Sequence, residues 1–237
     1  MAIYLFAKSK KRKYILLSIF LVAAAMITSA RIIFFLSLLS LFFSALIFLK
    51  STKHRVVAVI AIALLSFFVY NYTPSIKQKF SQFNEIEHVG FDKGNHRGVS
   101  SRLGNIQASY ELIKRNPFFG TGTGDLLDEL LEEYDRMKFT MGYKYRYNPH
   151  NQYLSYLVRN GFIGGGICIL ILYLFPFYFV LRRNDVLLFG FMLLVLGVSL
   201  TESFLDVHKG ITFYAFFMTF LLARYDLDFW GRTQKKL

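Results

Sequence analysis

Residues 148–154 read Asn-Pro-His-Asn-Gln-Tyr-Leu and mark the point where a polar segment becomes an apolar run that continues to Leu181. A transmembrane helix needs about 20 consecutive apolar residues, within a range of about 17–25. The run from Gln152 is long enough to span a bilayer, and Pro149 favours an extended backbone just before it. His150 therefore lies at the water-facing end of a predicted membrane helix, where ionisable groups are costly and often functional.

Several other apolar runs in the 237-residue chain are close to the length of a membrane helix. The chain is 54% apolar and contains 27 phenylalanines, whereas a soluble domain of this size rarely has several near-uncharged runs. We predict an all-α fold, a polytopic membrane helix bundle of about six transmembrane helices. The predicted spans are Tyr14–Ala30, Ile32–Leu49, Val56–Tyr72, Gln152–Leu181, Val186–Leu200 and Ile211–Ala223.

The formal charge of +13 is distributed in short clusters beside the apolar runs. Basic residues gather near 8–13, 50–55, 182–183 and 224–236, whereas the alternate short connections hold only Arg31 and Lys209. This asymmetry follows the positive-inside rule and argues against nucleic-acid binding. It places both termini in the cytoplasm and the loop 73–149 on the outer face. The single cysteine, Cys168, allows no intramolecular disulfide.

The chain divides into an N-terminal membrane block at 1–72, a polar loop at 73–149 and a C-terminal membrane block at 150–237. Loops longer than about 12–15 residues are usually functional or disordered, and this one carries helix signals. Ser100 or Ser101 can cap a first loop helix that ends at Asn116-Pro117. Its predicted apolar stripe is Leu103, Ile106, Tyr110 and Ile113.

A second loop helix is predicted after the glycine-rich turn 120–124, with Asp125 as its cap. The turn lacks the Lys-Ser/Thr ending of a phosphate-binding loop, so a simple connection is favoured over an anion site. Contact between its backbone amides and an anionic ligand remains a weaker alternative. The predicted apolar stripe is Leu126, Leu127, Leu130, Leu131 and Tyr134, and the predicted solvated face is Asp128, Glu129, Glu132, Glu133 and Asp135.

Four charged or ionisable side chains stand out, and each has an ordinary structural explanation beside the functional one. His150 is either a helix-entry residue or a functional group, because histidine is a residue type that can accept or donate a proton in a reaction. Arg31 lies between two apolar runs, either as a headgroup anchor or as a ligand-binding residue. Arg97 and Arg102 flank the start of the first loop helix, either as solvated charges or as a phosphate clamp. No histidine or cysteine spacing is typical of a metal site.

The order of these pieces resembles the O-antigen ligase and O-antigen polymerase superfamily of bacterial envelope proteins. The resemblance runs from about Thr28 to about Tyr178. It rests on Ser29-x-Arg31 at a helix end, Ser101-Arg102, the motif Asn-Pro-Phe-Phe-Gly-Thr-Gly at 116–122, His-Asn-Gln-Tyr-Leu at 150–154, and Asn-Gly-Phe-Ile-Gly at 160–164.

The resemblance implies a multi-pass protein of the bacterial inner membrane with residues 73–149 in the periplasm. It implies transfer of a glycan from undecaprenyl diphosphate to an acceptor, with lipid A–core favoured. Polymerisation of repeat units and protein O-glycosylation remain alternatives within the family. From another class, the alternative is a non-catalytic membrane scaffold or a truncated remnant.

The resemblance also assigns roles to individual residues. Arg31 and Arg102 would bind the diphosphate, and His150 would act as the base or would orient the acceptor hydroxyl. Guanidinium groups are permanently charged and bind phosphate oxygens in pairs, which suits the first role. No metal or other cofactor and no nucleic acid is expected. Secondary candidates are Arg97, Arg115, Gly120, Gly122 and Asn151.

Relatives in this superfamily have about twice as many helices, and the chain resembles their second half. We therefore expect a fragment, a truncated reading frame or a reduced form that needs another polypeptide to supply the remaining helices.

Overall fold

A computed structural model describes residues 20, 38, 39, 42, 51–72, 99–183 and 185–234. The chain divides into two units, Met1–Glu85 and Ile86–Leu237. Every regular element in the described residues is helical, so the all-α prediction is confirmed there. The predicted spans Tyr14–Ala30 and Ile32–Leu49 lie almost entirely outside these residues.

The first unit contains helix α1, Thr52–Tyr72. Its apolar side chains Val57, Ile60, Leu64 and Phe67 are more than half exposed. The helix predicted at Val56–Tyr72 is present, and it begins one turn earlier, at Thr52.

In the described part of the second unit, 99–183 and 185–234, seven further helices are joined by short connections. The loop helices are α2 (Val99–Arg115), α3 (Leu126–Arg136) and the short α4 (Thr140–Lys144). The apolar helices are α5 (Gln152–Ile169), α6 (Phe175–Arg183), α7 (Val186–Ser199) and α8 (His208–Gln234), with a 3-10 turn at Phe204–Asp206. One apolar core joins the helices from α5 to α8, and a second joins α2, α3, Phe139 and Val158.

Helices α5 and α6 are continuous through a π-helical segment, Leu170–Leu174. Pro176 follows this segment, and it has no N–H to donate to the carbonyl four residues earlier, that of Leu172. The hydroxyl of Tyr214 on α8 donates to that carbonyl at 2.6 Å. The wider turn and the tyrosine together satisfy the backbone around the proline, so the helix continues instead of ending.

Helix α2 buries a different face from the one that apolar periodicity predicts. Leu103, Ile106 and Tyr110 are each more than 40% exposed, so three of the four predicted stripe residues are wrong. The buried positions are small or polar over the first three turns: Ser101, Gly104, Asn105, Ala108 and Ser109. A Cβ at Gly104 would lie 2.8 Å from the Phe139 ring, so small residues permit close helix packing here. Ser101 lies inside the helix, which begins at Val99, and the helix end at Arg115 is as predicted.

Helix α3 follows its predicted stripe with one exception. Glu133 is buried instead of solvated, and it pairs with Arg115 at 2.6 Å and with Arg136 at 3.3 Å. A buried carboxylate requires such partners. Arg136 lies three residues away on the same helix, whereas Arg115 is brought to Glu133 from α2 by the tertiary structure. Asp125 occupies the N-cap position, but its side chain makes no capping hydrogen bond.

Within the described residues, one helix is long and apolar enough to cross a membrane, Gln152–Arg182, with a mean hydropathy of 2.2. The helix Leu187–Ser199 is apolar but shorter. The predicted count of about six crossings therefore remains a prediction.

Candidate functional site

His150 occupies a strained position immediately before α5. Its φ angle is +47°, in the left-handed region that costs a non-glycine residue about 1–2 kcal/mol. Its backbone N–H donates to Asn148 Oδ1 at 3.0 Å. The next residue, Asn151, is the N-cap of α5, and its Oδ1 accepts from the N–H of Leu154 at 3.0 Å. The cap fixes the start of the helix immediately after His150.

Arg102 reaches the same place from the first turn of α2. Its Nη2 atom lies 3.3 Å from Oε1 of Glu202, and Nδ1 of His150 lies 3.1 Å from Oε2 of the same carboxylate. Arg102 is 100 residues from Glu202 in the sequence, and His150 is 52 residues from it. The fold thus brings two predicted site residues, Arg102 and His150, onto one acidic side chain.

The carboxylate of Glu202 is held in its ionised form. The hydrogen bond and the charge of His150, with the charge of Arg102, hold the pKa of Glu202 below its ordinary value, although partial burial acts in the opposite direction. When His150 is neutral, a carboxylate at Nδ1 favours the tautomer that carries its proton there. Nε2 is then left as the hydrogen-bond acceptor.

A second acidic residue, Asp206, fixes the loop that carries Glu202. Asp206 accepts hydrogen bonds from Gln152 Nε2 at 2.6 Å, Ser155 Oγ at 2.6 Å and Arg159 Nη1 at 3.0 Å. All three donors belong to α5, the helix that begins beside His150. The loop between α7 and α8 is therefore attached to the same helix that positions the imidazole.

The glycine turn after α2 inserts its backbone into a break in α5. Gly161 has φ +63° and ψ −169°, which interrupts the helical hydrogen bonds. The N–H groups of Thr121 and Gly122 donate to the carbonyls of Val158 and Arg159 at 2.8 and 2.9 Å. In the opposite direction, the N–H of Phe162 donates to the carbonyl of Pro117 at 2.7 Å. This exchange joins the loop to α5 and satisfies the polar groups that the break exposes.

Residues 16–169, more than half of the chain, match the sequence profile of a family described as O-antigen ligase. The chain belongs to the O-antigen ligase family. No curated protein matches it. The match confirms the resemblance predicted from the sequence. The family consists of bacterial membrane proteins that act as glycan transferases. The matched region contains Arg102 and His150, whereas Glu202 and Asp206 lie beyond its end.

The secondary candidates of this O-antigen ligase family member have clear structural contacts. Arg115 pairs with buried Glu133, away from the Glu202 cluster. The N–H of Gly120 donates to Asn116 at 3.0 Å, and the N–H of Gly122 donates to Arg159, so both amides are engaged by carbonyls. Asn151 caps α5, and its Nδ2 donates to the carbonyl of Leu200 at 3.2 Å. Arg31 and Arg97 lie outside the described residues.

Sequence analysis missed Glu202 and Asp206 as site residues. A signal was nevertheless present, because both carboxylates lie in a short connection between two apolar helices on the predicted outer side. Carboxylates at the end of a membrane helix are costly unless they have partners, so a pair of them indicates partners in space. The identity of those partners depends on how α7 and α8 pack against α5.

Proposed function

We propose that the chain transfers a glycan from a polyprenyl-diphosphate carrier to a hydroxyl acceptor, with His150 as the base. The observation that carries the proposal is the convergence of Arg102 and His150 on Glu202. Arg102 is a cation that can bind phosphate, and His150 carries an imidazole that can accept a hydroxyl proton. Each contacts one of the two carboxylate oxygens of Glu202. Family membership supplies the class of reaction.

The acceptor hydroxyl donates its proton to Nε2 of His150 as its oxygen forms the new bond to the anomeric carbon of the donor sugar. Glu202 holds the Nδ1 side of the ring and stabilises the imidazolium that forms. This division of roles is that of a histidine oriented by a carboxylate in other group-transfer enzymes.

The bond between the anomeric carbon and the diphosphate oxygen breaks with its electron pair on the leaving diphosphate. Arg102 stabilises that charge, and Arg31 is proposed to do the same. Glu202 contacts Arg102 through Nη2, and a guanidinium carries five N–H donors, so further donors can bind phosphate oxygens. The side chain of Arg102 is 48% exposed, which leaves it accessible to such a ligand.

The finer assignments are proposals that the family and the charge distribution support. The donor is proposed to be undecaprenyl diphosphate, and the acceptor lipid A–core, with polymerisation or protein O-glycosylation as alternatives. We propose that the reaction occurs on the periplasmic face of the inner membrane, with both termini in the cytoplasm, in lipopolysaccharide or other surface-polysaccharide assembly. A second polypeptide is proposed to supply additional helices around the lipid.

The test compares variants in the source bacterium after deletion of the chromosomal gene. His150→Ala and Arg102→Ala should abolish the appearance of glycan-modified envelope material on gels, while membrane fractions still contain the full chain. A lost general base costs about 10²- to 10⁴-fold in rate. Arg102→Lys should restore only part of the activity, because an ammonium cannot bind two phosphate oxygens in the planar geometry of a guanidinium.

Two matched controls separate the site from a general effect of charge. Lys114 is an exposed α2 cation paired with Glu111, as Arg102 is paired with Glu202, and His208 is an exposed histidine at the start of α8. Lys114→Ala and His208→Ala should retain transfer. Wild-type transfer by His150→Ala or Arg102→Ala would eliminate the proposed roles.

A further inference from the structure

A row of aromatic rings leads from the loop core to His150. Tyr134 packs edge-on against Phe139 at 5.3 Å, and Phe139 lies 6.3 Å from Tyr147. The ring of Tyr147 then lies 6.1 Å from the imidazole of His150 in an edge arrangement, and 5.9 Å from Tyr145 with nearly parallel planes at 17°. Tyr147 therefore contacts both the proposed base and a second, outer tyrosine.

The inner half of this row is rigid and buried. Tyr134 and Phe139 have no exposed surface, and the Tyr134 hydroxyl donates to the backbone carbonyl of Tyr147 at 3.2 Å. The backbone N–H of Tyr147 donates to the Gly142 carbonyl at 3.1 Å. Two hydrogen bonds thus hold the backbone of Tyr147, the tyrosine beside His150. A binding surface must be held in this way if it is to orient a ligand.

The outer part of the row is exposed to solvent, and the backbone beside it is strained. Tyr145 is 52% exposed, and Arg146 between the two tyrosines has a left-handed backbone with φ +50°. Strained non-glycine residues are energetically unfavourable and cluster at functional sites. Here the strain occurs at Arg146 and at His150, which flank Tyr147 on both sides. Packing alone does not require an exposed, near-parallel tyrosine pair at this position.

The chemistry of the segment fits a sugar chain. Residues 137–149 contain Lys138, Lys144 and Arg146 and no acidic residue. An aromatic face is electron-rich, and the apolar C–H face of a sugar ring packs on it while the sugar hydroxyls stay hydrated. Exposed lysine and arginine side chains nearby suit the acidic or phosphorylated substituents of a glycan.

We propose that Tyr145 and Tyr147 form a sugar-binding subsite that presents the acceptor glycan to His150. The assignment rests on the proposed function for its orientation towards His150, but binding itself can be measured without transfer. A membrane interface would also accept tyrosines and basic residues. We favour the glycan because the ring row ends on the proposed base, a contact that insertion into lipid headgroups does not require.

The test is saturation-transfer NMR on the full chain in nanodiscs. The probes are the lipid-free core oligosaccharide and polysaccharide that mild acid releases from the envelope of the bacterium that encodes the chain. Wild-type protein should bind at least one probe, and Tyr145→Ala should weaken binding about fivefold, in the range of a lost aromatic contact. Tyr145→Phe and Tyr145→Trp should retain binding, because the ring and not the hydroxyl makes the contact.

Tyr110 provides the matched control. It is 55% exposed, and Lys114 lies 4.4 Å from its ring centre, whereas Lys144 lies 5.6 Å from that of Tyr145. Both are exposed loop tyrosines with a lysine above the ring, but only Tyr145 adjoins the row that reaches His150. Tyr110→Ala should leave oligosaccharide binding unchanged. Absence of binding by the wild-type chain, or equal losses in Tyr110→Ala and Tyr145→Ala, would overturn the subsite.

Two further measurements keep the two proposals apart. His150→Ala should lose transfer but still bind the oligosaccharide. Retained transfer in this variant would contradict the proposed role of His150 as the base, but it would not contradict sugar binding by Tyr145 and Tyr147. A spin label on Tyr145→Cys in a Cys168→Ser background reports the environment directly. Collision with a water-soluble relaxation agent is expected, whereas protection from it together with exposure to lipid-dissolved oxygen would identify a membrane contact and refute the subsite.

Discussion

Gln152 and Asp206 are joined by a short hydrogen bond in which Gln152 Nε2 donates to Oδ1 at 2.6 Å. The Oε1 atom of the same fully buried glutamine accepts from the N–H of Leu205 at 2.7 Å. One side chain on the first turn of α5 thus binds both the side chain and the backbone of the loop before α8. Because that loop carries Glu202, the start of α5 determines where Glu202 meets His150.

Replacement of Asp206 should test this attachment. Asp206→Ala removes the common partner of Gln152, Ser155 and Arg159, and we expect it to destabilise the protein by about 3 kcal/mol, because three part-buried donors lose their acceptor. Chemical unfolding in detergent micelles, followed by circular dichroism, measures the effect. Asp128 is an exposed carboxylate 3.9 Å from Arg146, so Asp128→Ala should change stability by less than about 1 kcal/mol. Similar losses in both variants would argue against a special role for Asp206.

The acid response of Glu202 follows from the direction of its pKa. The folded value lies below the ordinary 4.5, so the stabilising contact is fully present above about pH 5 and is lost as the pH falls through the lowered value. The gap in unfolding midpoint between wild-type protein and Glu202→Gln should shrink as the pH falls below about 5. The gap should be small, since the carboxylate is 45% exposed. A gap that widens towards low pH would reverse the assigned sign.

Gly161 should be the least replaceable glycine of α5. A Cβ there would overlap the carbonyl of Phe118, and the combination of φ +63° with ψ −169° is essentially confined to glycine, with a cost of about 1–3 kcal/mol for other residues. We expect Gly161→Ala to separate the glycine turn from the helix break and to expose 117–124 to limited proteolysis. Gly166 on the same helix has no neighbour within 4 Å of an added Cβ. Gly166→Ala should therefore be neutral or slightly stabilising. Protease sensitivity equal to that of Gly161→Ala would contradict the attachment of the glycine turn to the break in α5.

The proline site in α5–α6 predicts a coupled pair of substitutions. Tyr214→Phe removes the donor to the Leu172 carbonyl and should cost about 1 kcal/mol. Pro176→Ala supplies a backbone N–H that can bind the same carbonyl. In the Pro176→Ala background the cost of Tyr214→Phe should therefore fall towards zero, a non-additivity that a double-mutant cycle of unfolding free energies would measure. Additive effects would show that the carbonyl does not link the two residues.

The apolar helices were accessible from sequence because length and composition suffice to mark them. Helices α1, α5 and α7 lie where apolar runs predicted them, since about 20 apolar residues have few alternatives to a helix in lipid. The loop helices were located but their faces were not fully predicted. For α2, the apolar side chains of Leu103 and Ile106 predicted the buried face of the helix, but both are exposed. The buried face contains the small residues Gly104 and Ala108. Periodicity identifies a helix, whereas close packing selects which face is buried.

The candidate site divides in the same way. Arg102 and His150 could be named from their positions beside predicted helix ends and from the family resemblance. Glu202 could not be assigned to them, because a separation of 52 or 100 residues carries no distance information. For Glu133 the prediction was wrong. Its position among acidic neighbours predicted a solvated side chain, but the side chain is buried and forms ion pairs with Arg115 and Arg136.

The sequence alone determined which segments are apolar helices, that the chain has the motif order of the O-antigen ligase family, and which cation and imidazole are candidates for its chemistry. These properties depend on composition and on contacts between near neighbours in the chain. Tertiary structure alone decided that Glu202 joins Arg102 to His150, that Asp206 holds the loop in place, and that the glycine turn enters the break at Gly161. The physical reason is that hydrogen bonds and ion pairs form across a few ångströms of space, and only the packing of α2, α5 and α7–α8 brings those groups within that range.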